Sequence, residues 1–428
     1  MFRLVGTAFF RGAYHVFYEA FPFSPEESDR RIILHASSED LVQWKDEGCA
    51  VYPTLREDSD GAREGSVYPN DDGSLELYCV GIRILEPEER NLNRAKPDSR
   101  IETSIIRLIS DPESDSFDNV KNKKVLISDK ELVKAGLKSG SARNPEVYAV
   151  GKKRYLTFIA EDPGGNCVLA FVKVSESKSK IYSIVPFKSR SNIATCRFFK
   201  IGKTDCAILE EKEKDASLVK IGFGEIDLEK GTFNIRDNTL EIEDYGEDSS
   251  SPKIAWDSRN LPYLTCSLRM NHDIRGSYGM TSLPRRLEIT PDGRITSSLH
   301  PLILRRMIYQ ESEIKIRQTH FPQLLRATLS DGSFLTLGNT AIYFHENTLY
   351  VDRRRSLSEE ENFRKVKTAS IPISGDEAEI AVLIDQDCLE LFSQGRTLCF
   401  ITCDNDPMIS VGDGVKDVSL YVLNHIKV

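Results

Sequence analysis

Long apolar runs are missing from this chain. No stretch approaches the roughly 20 residues that a membrane-spanning helix requires, and the first residues lack the basic, apolar and small-residue segments of a secretory leader. The expectation is a protein that stays off membranes, in the cytoplasm. Positive charge is also in deficit: the formal net charge is −9, which argues against a phosphate backbone or an anionic membrane as partner and excludes a nucleic-acid binder as the working class. The basic runs Lys121–Lys124 and Arg353–Arg355 are short and read as solvated faces. Cysteine is present without pattern. Nine occur, an odd number, none in a Cys-x-x-Cys pair or beside a His at ligand spacing, so buried free thiols are expected and neither a metal nor a cofactor is. Tryptophan is scarce. Trp44 and Trp256 are the only two, and Trp44 reads as a core residue. Gly-x-Ser-x-Gly, Walker-type and His-Glu-x-x-His motifs are absent, and Asp162-Pro-Gly-Gly165 reads as a turn.

What the chain has in quantity is short β-rich runs punctuated by turn signals. Tyr14–Tyr18, Leu75–Val80, Arg154–Ile159 and Lys220–Ile226 read as strands, and Asp71–Gly73, Gly151–Lys153 and Glu229–Gly231 supply hairpin-type turns. Strand pairs return roughly every 50 residues, the spacing expected of four-stranded propeller blades. A helical period is rare; Asp129–Gly136 predicts a turn or two of helix ended by glycine. Glu86–Arg100 and Pro112–Lys124 read as extended loops.

With 428 residues, 40% of them hydrophobic, the chain can bury two cores. Its texture changes after Arg294. Strands are expected at Gln323–Ser330, Ser333–Leu337, Ala341–Phe344, Thr348–Asp352, Glu379–Ile384, Leu389–Phe392, Thr397–Thr402 and Val418–Leu423. Tight turns between so many short strands point to a β-sandwich. The expected fold is all-β, with a five-bladed β-propeller over 1–295 and a C-terminal β-sandwich over 296–428.

Eight segments occur in an order that resembles glycoside hydrolase family 32, the β-fructofuranosidases. They are Tyr14-His-Val-Phe-Tyr-Glu19, the segment His35–Trp44 followed by Ala50-Val-Tyr-Pro53, Glu64-Gly-Ser-Val67 with Asp71-Asp-Gly73, and Arg143-Asn-Pro145. Further on come Asp244-Tyr-Gly-Glu-Asp248, the stretch Arg275–Arg285, and the pair Leu349–Ser356 and Val382–Phe392.

The resemblance implies an Asp nucleophile, a transition-state-stabilising Asp and an acid/base Glu. In a retaining mechanism the attacking and protonating carboxyl groups lie about 5 to 5.5 Å apart. Counting back from Tyr14 puts Arg3 at the nucleophile's place; Asn144 stands where the stabilising Asp belongs, and Thr195 where the acid/base Glu does. A guanidinium stays protonated and cannot attack, an amide cannot offset an oxocarbenium charge, and a threonine hydroxyl is too weak an acid to protonate a leaving group.

Two gained acids stand nearby in the family frame: Glu19 replaces Gln and Glu64 replaces Ser. They are candidates for a relocated catalytic pair. The plainer reading pairs them with Arg3, Arg63 or Arg143. Arg143, Asn144, Glu19, Glu64, Ser66 and Asp248 are the expected ligand-binding residues. Three functions stay open: a silent binder of a carbohydrate or another small polar ligand, a scaffold for a protein partner, or a glycosidase using Glu19 and Glu64.

Overall fold

The computed structural model describes residues 3–22, 30–87, 96, 100–114, 116–188, 190, 192–213, 216–268, 279–309, 322–357, 366–385, 387–402 and 408–424. The described chain is almost wholly β-structure. Five antiparallel sheets follow one another, each with a path of four strands, to which the fourth and fifth add one short strand each, Glu241–Ile242 and Met280–Thr281. Blade I is Arg3–Phe10, Ala13–Ala20, Ile32–Ser38 and Lys45–Val51; blade II is Ala62–Pro69, Leu75–Ile84, Ile101–Ile109 and Lys123–Ile127. Blade III runs through Arg143–Val150, Lys153–Glu161, Cys167–Lys173 and Lys180–Pro186, and blade IV through Ile193–Ile201, Thr204–Glu213, Ala216–Asp227 and Thr232–Ile235. Blade V is Ser249–Trp256, Pro262–Leu268, Arg285–Ile289 and Ile295–Leu299.

The first strands of successive blades adjoin one another, and blade V meets blade I, so five inner strands ring a central axis. Apolar clusters hold the ring together, one between each pair of neighbours. Val5 and Phe17 meet Leu77 and Ile106 between blades I and II. Tyr78 and Val80 meet Phe158 between II and III, and Leu169 and Phe171 meet Phe198 between III and IV. Ile208 and Ile221 meet Leu264 between IV and V. Each side chain buried this way contributes about 1.5–3 kcal/mol, which is how separate sheets become one body.

The C-terminal region forms two packed sheets. One runs Met307–Tyr309, Val415–Leu423, Gln323–Ser330, Glu377–Asp385, Cys388–Ser393 and Arg396–Ile401 in spatial order. The other runs Thr368–Pro372, Thr348–Asp352, Thr340–His345, Phe334–Leu337 and Ile409–Val411. Alternate residues such as Ile380, Val382, Val351 and Ile371 point between the sheets.

The segment Asp244–Asp248 clasps this sandwich to the propeller. Strand Arg396–Ile401 is the edge of its sheet, and unpaired edge amides need acceptors. Asp244 Oδ1 accepts from the Cys399 amide at 2.8 Å, and Asp248 Oδ2 from the Ile401 amide at 2.8 Å. Gly246 is required: a Cβ there would lie 1.9 Å from the Cys399 carbonyl oxygen. Buried Arg353 grips Asp248 with both terminal nitrogens, and buried Arg285 bridges Glu243 of the propeller side and Glu390 of the sandwich at 2.8 and 3.2 Å.

Several expectations are corrected. Arg353 lies in the interface, not on a solvated face, and Lys123 is buried 2.6 Å from Asp58. Trp44 is 41% exposed, because the turn at Asp40 directs it outward from blade I. Cys49 is exposed while seven other cysteines are buried free thiols; Cys403 falls outside the described residues. So do 275–278 and most of Glu86–Arg100. The helix is Asp129–Lys134, started by a Ser128/Glu131 capping box and followed by Gly136 at φ +84°.

Candidate functional site

All five inner strands carry the same irregularity near their start. The register slips between Leu4 and Gly6, Arg63 and Gly65, Arg143 and Glu146, Ile193 and Thr195, and Ser250 and Lys253. Each slip inserts one extra residue, a β-bulge, which takes that residue's backbone out of the ladder and turns its side chain aside. Three bulge residues adopt a left-handed backbone: Glu64 at φ +47°, Asn144 at +42° and Ser251 at +48°. Because every first strand runs in the same direction, the five bulges gather at one end of the ring, its mouth.

Buried amides released by a bulge must find other acceptors. Here the neighbouring blade supplies them. Glu19 Oε1 of blade I accepts from the Glu64 amide of blade II at 2.9 Å, and Glu64 Oε2 accepts from the Asn144 amide of blade III at 3.1 Å. Asn144 Nδ2 donates to the Ala194 carbonyl of blade IV at 2.8 Å. Glu210 Oε2 of blade IV accepts from the Ser251 amide of blade V at 2.9 Å, and Ser267 Oγ of blade V accepts from the Leu4 amide of blade I at 2.8 Å. A closed circuit of hydrogen bonds thus passes through all five blades.

Cations back the acids of this circuit. Arg31 Nη1 lies 2.5 Å from Glu19 Oε2, and Arg3 Nη1 is 3.8 Å from Glu64 Oε1. Burial alone would raise the pKa of Glu64, but the charges of Arg63, Arg3 and Lys212 and the Asn144 amide hold it down at about 2. Burial and the charge of Arg3 in turn lower the pKa of Lys212. Beneath Asn144 lies Lys253, fully buried, whose Nζ donates to the Gly65 carbonyl at 2.6 Å, to Glu146 Oε1 at 3.0 Å and to Asn144 Oδ1 at 3.5 Å. Arg197 holds the other Glu146 oxygen at 2.6 Å.

Glu19, Glu64 and Asn144 therefore meet at the mouth, with Arg3 at its edge. Thr195 joins through Glu210, donating to Oε2 at 3.2 Å. Arg143 points elsewhere and pairs with Glu161 at 3.2 Å. Ser66 is buried between blades II and III, accepting from the Val147 amide at 3.0 Å. Asp248 is committed to Arg353 and strand Arg396–Ile401. Among the described residues no three His, Cys, Asp or Glu side chains converge as a metal-binding group.

Sequence reasoning passed over Arg31, Glu146, Arg197, Glu210 and Lys253. A signal existed for two of them. Lys253 is one charge inside the buried strand Ser249–Trp256, and Glu210 follows the apolar run Ala207–Leu209 within a strand. Charges in such places need internal partners.

Chemically, the mouth is a set of paired ions. Each oxygen of Glu19 and Glu64 faces a donor or a cation, and a carboxyl held near pKa 2 is ionised at neutral pH, so Glu64 has no proton to give a leaving group. Guanidinium and ammonium groups close to Asn144 oppose the positive charge that glycoside cleavage develops on the sugar ring.

The sequence matches the profile described as "Glycosyl hydrolases family 32 N-terminal domain" over residues 5–298 and that described as "Glycosyl hydrolases family 32 C terminal" over residues 324–400. A sucrose-6-phosphate hydrolase of Pediococcus pentosaceus is 38% identical over 81 residues, covering 19% of this chain and 16% of the relative. A fructan 6-exohydrolase of Beta vulgaris is 21% identical over 320 residues, covering 68% of this chain and half, 50%, of the relative's length. Among solved structures, a sucrose-6-phosphate hydrolase from Lactobacillus gasseri superposes with a TM-score of 0.79 at 17% identity, covering 99% of this chain and 90% of its own. A fructan 1-exohydrolase from Cichorium intybus, solved in complex with 1-kestose, gives 0.76 at 16% identity with 99% and 95% coverage. At these identities the superpositions establish the β-propeller and β-sandwich fold.

Proposed function

The chain belongs to glycosyl hydrolase family 32, and from that membership we propose that it is a catalytically silent relative that binds a carbohydrate or another small polar ligand at the mouth of its propeller. One observation carries this reading: the mouth acids Glu19, Glu64 and Glu210 all serve as acceptors for bulge amides. The places where the family keeps its carboxylates hold Arg3, Asn144 and Thr195. Across the strand pairs, Arg3 stands opposite Glu19 and Thr195 opposite Glu210. In both cases the acid sits one strand outward from where the chemistry would need it. The eight cysteines among the described residues are free thiols, which suits a reducing compartment such as the cytoplasm.

The burial of Glu19, Glu64 and Asn144, each under 7% exposed, favours a second reading in which the mouth is vestigial and the protein is a scaffold for a protein partner. A third, hydrolysis by Glu19 and Glu64, is opposed by their ion pairs. Calorimetric titration of the full chain with fructose, sucrose, sucrose 6-phosphate and 1-kestose, with product analysis after prolonged incubation, separates the three. The expected result is binding without turnover. No binding across the panel supports the scaffold. Turnover that disappears in Glu19→Gln and Glu64→Gln supports the relocated pair and overturns silence.

A further inference from the structure

The inner strands begin at the mouth and end at the opposite face, so the second strands of the blades begin there. On that far face a cleft of about 420 Å³ opens between blades II and III, bounded by the start of strand Leu75–Ile84, the end of Ile101–Ile109, the hairpin at Lys152–Tyr155 and the turn Lys173–Glu176. Five of its side chains are cationic, Arg107, Lys152, Lys153, Arg154 and Lys173, against two carboxylates, Glu76 and Glu176. The protein as a whole carries −9. A concave basic site on an acidic molecule focuses field lines and concentrates anions.

Both carboxylates have other obligations. Glu76 accepts from the Tyr78 hydroxyl and lies 3.6 Å from Arg154 Nε. Glu176 is shared by Arg107 at 2.7 Å and Lys124 at 3.2 Å. The donors outnumber what they can satisfy. Arg107 is 4% exposed and its Nε has no hydrogen-bond partner among the described residues. Lys152 has no ion pair among the described residues, Lys173 rests over the Tyr182 ring at 5.1 Å, and Lys153 reaches only exposed Glu229 at 3.5 Å. Arg154 is fixed by Asn70 Oδ1 at 2.7 Å and by stacking on Tyr68 at 4.2 Å. Two guanidinium groups held by packing, with exposed ammonium groups at the rim, form the donor set that recognises a tetrahedral dianion.

We propose that this cleft binds the phosphate group of a small phosphomonoester, independently of the propeller mouth. Its volume suits a ligand of a few to a dozen heavy atoms, and Tyr155 and Val174 supply a less polar wall for the ester's organic part.

The test is calorimetric titration of the full chain, at low ionic strength where screening is weak, with inorganic phosphate, glycerol 2-phosphate and sulfate. Saturable binding of both phosphates, the ester at least as tight as inorganic phosphate and sulfate weaker, is expected. The rim variant Lys152→Gln/Lys173→Gln, exposed and outside the core, should weaken phosphate binding about tenfold. Arg107→Lys, which keeps the charge and removes the fork, should weaken it similarly, while Glu64→Gln at the mouth should leave it unchanged. Absence of saturable binding, equal affinity for sulfate, an unaffected rim variant, or loss in Glu64→Gln would each overturn the proposal.

Discussion

Glu64 shows how much one side chain at the mouth is asked to do. It accepts the Asn144 amide, offsets Arg3 and Arg63, and itself sits in a left-handed backbone with its own amide held by Glu19. Glu64→Gln keeps an acceptor but removes the countercharge from Arg63, whose own pKa is already lowered by burial. The variant should lose about 2 kcal/mol of stability, read from urea unfolding at pH 7. Arg3, Asn144 and Thr195 were legible in the sequence as candidates through the family resemblance. Their partners were not. Arg31 and Glu210 lie a strand away, and which acid meets which amide follows from the closing of the ring.

At the level of the strand, alternation gave reliable signals and bulges gave none. Gln323–Ser330 and Thr348–Asp352 match their expected bounds, since one face of each packs into the sandwich and the other is freer. Thr368–Pro372 and Ile409–Val411 escaped notice because one ends in proline and the other is three residues long. A bulge leaves no mark on an apolar pattern that resumes one residue later. Ser251, buried at φ +48°, tests its cost. Ser251→Gly should leave the midpoint of thermal unfolding nearly unchanged, since glycine accepts this backbone freely. Ser251→Val should cost about 2 kcal/mol, because a β-branched residue is strained there.

Over the whole molecule, acid sensitivity should come first from histidine. His15 Nε2 faces the Phe10 carbonyl at 3.2 Å and must donate to it, so its Nδ1 accepts from His35 Nε2 at 2.9 Å. Burial, then the neighbouring His15, lowers the pKa of His35 from 6.5 to about 4. His300, packed against Tyr14 and Tyr263 where blade V closes on blade I, is lowered by burial to about 4 as well. With folded values below unfolded ones, the unfolded chain takes up protons first, so this stability is present above pH 6.5 and is lost as the pH falls toward 4. Each histidine accounts for about 3 kcal/mol. Glu64, lowered from 4.5 to about 2, adds a second loss below pH 4.5. Urea midpoints measured from pH 7 to pH 4 should fall steadily, and His35→Gln should flatten the upper part of that curve.

The register of the mouth also bears on what a carboxylate placed at the proposed family positions would meet. An aspartate introduced at Arg3 would face Glu19 across the strand pair, and a glutamate introduced at Thr195 would face Glu210. Like charges so placed repel, and the acids already present cannot be withdrawn without orphaning the amides they hold. Each such single substitution is therefore destabilising. The hydrogen-bond circuit thus acts as a ratchet: under the silent reading proposed above, seating carboxylates at these positions would take several simultaneous substitutions.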